Sequence, residues 1–81
     1  MSELEQGKQK FIEIVKDVDP AVTIVIPTSA SNSIFLISLT KGKARKFITV
    51  SEDDIVDLVL DDLIHDEVKD RIRETLSELK P

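Results

Sequence analysis

Residues 34–50 read IFLISLTKGKARKFITV. Two runs rich in β-branched and aromatic residues flank Lys41-Gly42-Lys43, and this pattern predicts a β-hairpin. Gly42 can take a positive φ in the turn at no steric cost. In the first strand Phe35, Ile37 and Leu39 alternate with Ile34, Leu36 and Ser38. Both faces are therefore apolar at the start, and one becomes polar toward the turn. A strand of that kind is usually central in its sheet or covered on both sides. In the return strand, residues 45–50, Ile48 and Val50 share one face and Phe47 and Thr49 the other.

Upstream, Ser2 followed by Glu5 fits a capping box, with Glu3 and Glu5 near the positive end of a helix dipole. Leu4, Phe11, Ile14, Val15 and Val18 recur at helical spacing. Gly7 weakens the first turn by about 1 kcal/mol relative to Ala, so residues 1–7 are expected to fray. Pro20 disfavours helical geometry at the residue before it, which stops the helix at residues 17–19. Residues 21–26 read as a short strand with Val22, Ile24 and Ile26 on one face, ended by Pro27. The segment TSASNS, residues 28–33, is a small polar loop. Such a loop can receive phosphate, as ligand or modification, but a plain connector is the preferred reading.

Downstream, Ser51-Glu52-Asp53-Asp54 makes a capping-box-like helix start with three acids in the first turn. Apolar residues follow at Ile55, Val56, Val59, Leu60, Leu63 and Ile64, and positions 56, 60, 64, 68, 72 and 76 form an apolar row. One long helix fits that row. The preferred division is a short helix over residues 52–60 and a longer one over 62–79, because His65-Asp66-Glu67 can end one helix and cap another. The element order is then α-β-β-β-α(-α). It implies a two-layer α+β fold over a single domain, residues 1–81, with a three-stranded antiparallel sheet and helices packed mainly on one face.

A chain of 81 residues buries only roughly 60–65% of its unfolded surface, which allows one modest core. The absence of cysteine removes disulfides and thiolate metal sites and suits a reducing cytoplasm. No apolar run approaches the roughly 20 residues a membrane span requires. MSELEQGKQK lacks a signal-peptide core. These features lead to the expectation of a cytoplasmic protein with no membrane partner.

The net charge of −5 hides a segregation. Residues 41–50 carry four bases and no acid, whereas residues 51–68 carry eight acids and no base. The acidic whole repels phosphate at long range, which argues against broad nucleic-acid binding. Lys41, Lys43, Arg45 and Lys46 nevertheless concentrate positive charge at the hairpin tip, where they can contact a phosphate backbone or an acidic protein surface. The preferred alternative is that these bases protect the sheet edge from pairing. No Trp or Tyr is present to stack on bases, and Phe11, Phe35 and Phe47 read as core residues.

The order α-β-β-β-α, with Lys43-Ala44-Arg45-Lys46, resembles that of double-stranded RNA-binding domains. In that family the basic run opens the last helix. Here it lies at a hairpin turn, and the last helix opens with Glu52-Asp53-Asp54, which would repel phosphate. None of the family's functional residues therefore carries over.

Asp53, Asp57, Asp61 and His65 recur every four residues. On one continuous helix they would form a ladder able to share a metal ion. A solvated acidic face is the preferred reading, because hard cations need converging oxygens and a break near residue 61 dissolves the ladder. His65 is the lone histidine, the serines lack a nucleophile elbow, and the two glycines make no phosphate loop. The expectation is a non-catalytic interaction or regulatory module. Its partner is a second copy or another protein, with no cofactor and no small-molecule substrate. A nucleic-acid module acting through the basic tip is the alternative, and a metal-responsive acidic helix the second.

Overall fold

The computed structural model describes residues 2–79. Its order is α1 (Glu3–Val18), β1 (Thr23–Val25), β2 (Ile34–Lys41), β3 (Ala44–Ser51), α2 (Glu52–Leu60) and α3 (Asp62–Ser77). This is the expected α+β fold. The three strands form one antiparallel sheet in the order β1-β2-β3, so β2 is central, as its apolar composition requires.

β2 and β3 pair over their full length, from Ile34 opposite Ser51 to Lys41 opposite Ala44. Only Gly42 and Lys43 connect them. Gly42 has φ 59°, and the first central position of this two-residue turn is the one where glycine removes a steric penalty. β1 is shorter than residues 21–26, because the carbonyl of Val22 is taken by the Lys16 ammonium (3.3 Å) and Pro27 has no N–H to donate. The connector also departs from a featureless loop. Asn32 and Ser33 have φ of 52° and 63°, and Ser31 and Ile34 exchange backbone hydrogen bonds of 2.9 and 3.0 Å around them. The Ser33 carbonyl then accepts the amide of Glu52 at 2.9 Å, which fixes the entry of β2 against the start of α2.

The core lies between the sheet and the helices. Phe35, Ile37 and Leu39 of β2 and Ile48 and Val50 of β3 point to one side. There they meet Phe11, Ile14 and Val15 of α1, Ile55 and Leu58 of α2, and Val68 and Ile72 of α3. Ser2 caps α1 by accepting the Glu5 amide, and Ser51 caps α2 by accepting the Asp54 amide, each at 3.2 Å.

Three expectations need correction. Residues 3–7 are helical, and Gly7 is buried against α2 rather than frayed. A Cβ on Gly7 would collide with the Ile55 carbonyl, with its carbon at 2.7 Å and Ile55 Cγ2 at 2.8 Å. The glycine thus lets two helices approach closely, and that packing outweighs its poor helix propensity. Second, the apolar row of 56, 60, 64, 68, 72 and 76 is not one buried stripe. The chain leaves helical geometry at Asp61 (φ −132°, ψ 112°), so α2 buries Ile55 and Leu58 while Val59, Leu60 and Leu63 face solvent. Third, Phe47 is not a core residue. It is 55% exposed on the side of the sheet away from the helices.

Candidate interaction surface

Side chains alternate across a strand, so burying Phe35, Ile37, Leu39, Ile48 and Val50 sends their neighbours to the opposite face. The pairing register aligns Val25 with Ser38 and Ser38 with Phe47 in one row, and Leu36 with Thr49 in the next. Ile34 and Ser51 close the far end, and Thr23, Thr40 and Arg45 lie toward the turn. None of the three helices packs on this face. Val25 (58% exposed), Leu36 (54%), Phe47 (55%) and Ile34 (46%) therefore form an apolar strip across the sheet, bordered by hydroxyl side chains.

The edges of the sheet are guarded where the face is not. Beyond β1, Lys8 donates to the carbonyls of Pro27 (3.4 Å) and Thr28 (3.1 Å), with its ammonium 5.0 Å from the Phe35 ring centre. At β3, the Arg71 guanidinium of α3 donates to the carbonyl of Thr49. Lys46 pairs with Glu78 at 3.5 Å, which lays the end of α3 along the same strand. Occupied carbonyls and long cationic side chains at an edge hinder strand addition. The face carries the exposed apolar side chains of the sheet.

The four bases of the hairpin tip separate into two pairs. Lys41 lies on the helix side and binds Asp19, the cap at the end of α1, at 2.7 Å. That bond, with the Ala21 amide donating to the same carboxylate, holds Asp19 below the usual carboxylate range. Lys46 also points to the helix side, toward Glu78. Lys43 and Arg45 are exposed, and among the described residues neither has a carboxylate within ion-pair distance. The tip is thus partly structural, with Lys43 and Arg45 as its free charges.

The acidic ladder is not assembled. Asp53 and Asp57 belong to α2, and Asp61 is the junction between helices. The Asp61 carboxylate caps α3 by accepting the Leu63 amide at 2.9 Å. His65 belongs to α3, where it lies 3.3 Å from Asp66 and lines a shallow cleft with Lys10, Glu13, Ile14, Asp17 and Lys69. The cleft is about 260 Å³ and open to solvent, with Lys10, Glu13, Ile14 and Asp17 supplied by α1 and His65 and Lys69 by α3. Among the described residues, no three histidine or acidic side chains converge as ligands for a metal ion. Also among these residues, no helix is long and apolar enough to cross a membrane.

Sequence reading underestimated the sheet face. The signal was present in the alternation itself: if Ile48 and Val50 are buried, Phe47 must face the other way. What the pattern lacked was which of the two apolar faces of residues 34–39 the helices take. No protein-family model, curated protein or solved structure matches the chain.

Proposed function

We propose that the protein is a non-catalytic interaction module that associates with a second copy of itself through the open face of its sheet. The observation that supports this reading is the strip of Val25, Ile34, Leu36 and Phe47, half-exposed together on a face bordered by hydroxyls. Contiguous apolar patches of this kind mark association sites on small proteins. A central strand that is apolar on both faces costs solubility unless its outer face is used.

The face is small. Two strands of seven residue steps of about 3.3 Å and a third of two steps, about 4.8 Å apart, describe a planar area on the order of 250–300 Å². That is at the low end for protein interfaces, where association is weak and reversible. The expected dimer dissociates in the range of about 10–100 µM, corresponding to roughly 5–7 kcal/mol.

Sedimentation equilibrium tests the reading. The wild-type protein is expected to shift from monomer toward dimer between about 1 µM and 1 mM (tenfold either side of the expected range of dissociation constants). Leu36→Thr with Phe47→Thr is expected to remain monomeric while keeping its circular dichroism and melting temperature, since neither residue is in the core. A wild-type monomer at 1 mM, on the order of ten times the upper dissociation constant, would overturn the reading.

A second reading has one observation in its favour: Lys43 and Arg45 are exposed cations at the tip. Two cations give a phosphate footprint with a salt dependence of only about two charges. The acids that follow at Glu52, Asp53 and Asp54 oppose it. Nucleic-acid association is therefore the weaker alternative.

A further inference from the structure

β3 carries opposite charges at its two ends. At its start lie Lys43 and Arg45, and immediately after its end lie Glu52, Asp53 and Asp54 in the first turn of α2. Seven residue steps at about 3.3 Å separate the two ends by roughly 23 Å. That exceeds two Debye lengths of about 8 Å at physiological salt, so the groups do not neutralise each other within one chain. Among the described residues, neither group has an oppositely charged side chain within ion-pair distance.

We propose that two copies pack open face to open face with their β3 strands running in opposite directions, so that Lys43 and Arg45 of each copy meet the Glu52-Asp53-Asp54 turn of the other. This inference rests on the self-association reading and adds the orientation and the residues that set it. Two sheets packed face to face lie about 10 Å apart with their strands within about 30° of alignment. In that arrangement the end of one β3 comes over one end or the other of its partner. With strands in the same direction, cationic tip stacks on cationic tip and acidic turn on acidic turn. Reversing one copy about a two-fold axis converts both repulsions into attractions. The contact is then isologous, each copy supplying one base cluster and one acid cluster, and it closes at a dimer.

Within the interface the same reversal opposes the Ile34–Ser51 end of one sheet to the Thr40–Arg45 end of the other. Val25 and Phe47, with Leu36 in the adjacent row, stay near the centre in both orientations. Apolar area therefore supplies association in either orientation, and charge decides between them. Such charge pairs at a rim contribute more to orientation and encounter rate than to total affinity.

Charge-swapped variants provide the test, read by sedimentation equilibrium at 20 mM and 500 mM NaCl. At 20 mM, K43E/R45E gives each copy two acidic ends and is expected to weaken self-association about tenfold. E52K/D53K gives each copy two basic ends and is expected to do the same. An equimolar mixture of the two is expected to form a heterodimer within about threefold of the wild-type affinity, because both contacts are complementary again. High salt is expected to weaken the wild-type dimer and strengthen self-association of either variant. Circular dichroism checks the fold of each variant. If E52K/D53K loses α2, the neutral E52Q/D53N takes its place, with the expectation of weakened self-association at low salt. A wild-type dimer that tightens with salt, or a K43E/R45E dimer as tight as wild type, would overturn the orientation while leaving self-association in place. A monomeric wild type would overturn the underlying reading as well.

Discussion

Gly7 and Asp19 show how single residues decide local geometry here. In an isolated helix, Gly7→Ala would gain about 1 kcal/mol. In this protein the added methyl meets the backbone of Ile55 in the facing helix, which cannot retreat as a flexible side chain could. The variant is expected to lose a net 1–3 kcal/mol (roughly the usual cost of overpacking) in urea denaturation, and a stabilised variant would contradict the close helix crossing. Asp19 accepts from Lys41 and from the Ala21 amide, and both favour its ionised form. Its folded pKa therefore lies below its unfolded value, near the ordinary 3.8. Asp19 adds stability above that value and loses it as the pH falls through the folded pKa. An NMR titration of its carboxyl carbon should place the midpoint below 3.8, and Lys41→Met should move it upward. An unchanged midpoint in the variant would show that Lys41 is not the cause. The sequence announces neither role. A glycine near a helix start reads as a weak spot until the facing helix is known, and Lys41 reads as part of a basic tip until β2 brings it over the end of α1.

Element boundaries follow local chemistry closely in this chain. Ser2, Ser51 and Asp61 each begin a helix by accepting a backbone amide, and all three are the residue types expected there. The hairpin, its glycine turn, the stop of α1 before Pro20 and the division of residues 52–79 into two helices were legible, but the signal expected to divide them, His65-Asp66-Glu67, lies inside α3, and Asp61 makes the break. The buried face of the second half was not legible. The row of apolar residues every four positions suggested one stripe, but the extended geometry of Asp61 restarts the helical phase between Leu60 and Asp62. Leu58 becomes core, and Leu60 and Leu63 become surface. The same break disperses Asp53, Asp57, Asp61 and His65. Asp61→Ala tests whether the junction is held by its cap. The expected outcome is a loss of about 1 kcal/mol in denaturation with helix content unchanged or lower. A gain in both stability and helicity would mean that the chain prefers one continuous helix.

For the whole molecule, the consequential fact is that three helices cover one side of a three-stranded sheet and leave the other open. Composition and periodicity reveal two apolar faces on residues 34–39, but not which one the helices take. On the Phe35 side, Gly7 lets α1 approach α2 closely, Asp61 separates α2 from α3, and the Ser33 carbonyl ties the entry of β2 to the start of α2. The uncovered side holds Leu36 and Phe47, and the α2–α3 corner holds a separate exposed pair, Leu60 and Leu63. A mixed sample of isotope-labelled and unlabelled protein, examined by isotope-filtered NOE spectroscopy at about 1 mM, on the order of ten times the weakest expected dissociation constant, discriminates between them. Intermolecular NOEs are expected between the Leu36 methyls of one copy and the Phe47 ring of the other. The absence of intermolecular NOEs, or NOEs confined to Leu60 and Leu63, would contradict association through the open face.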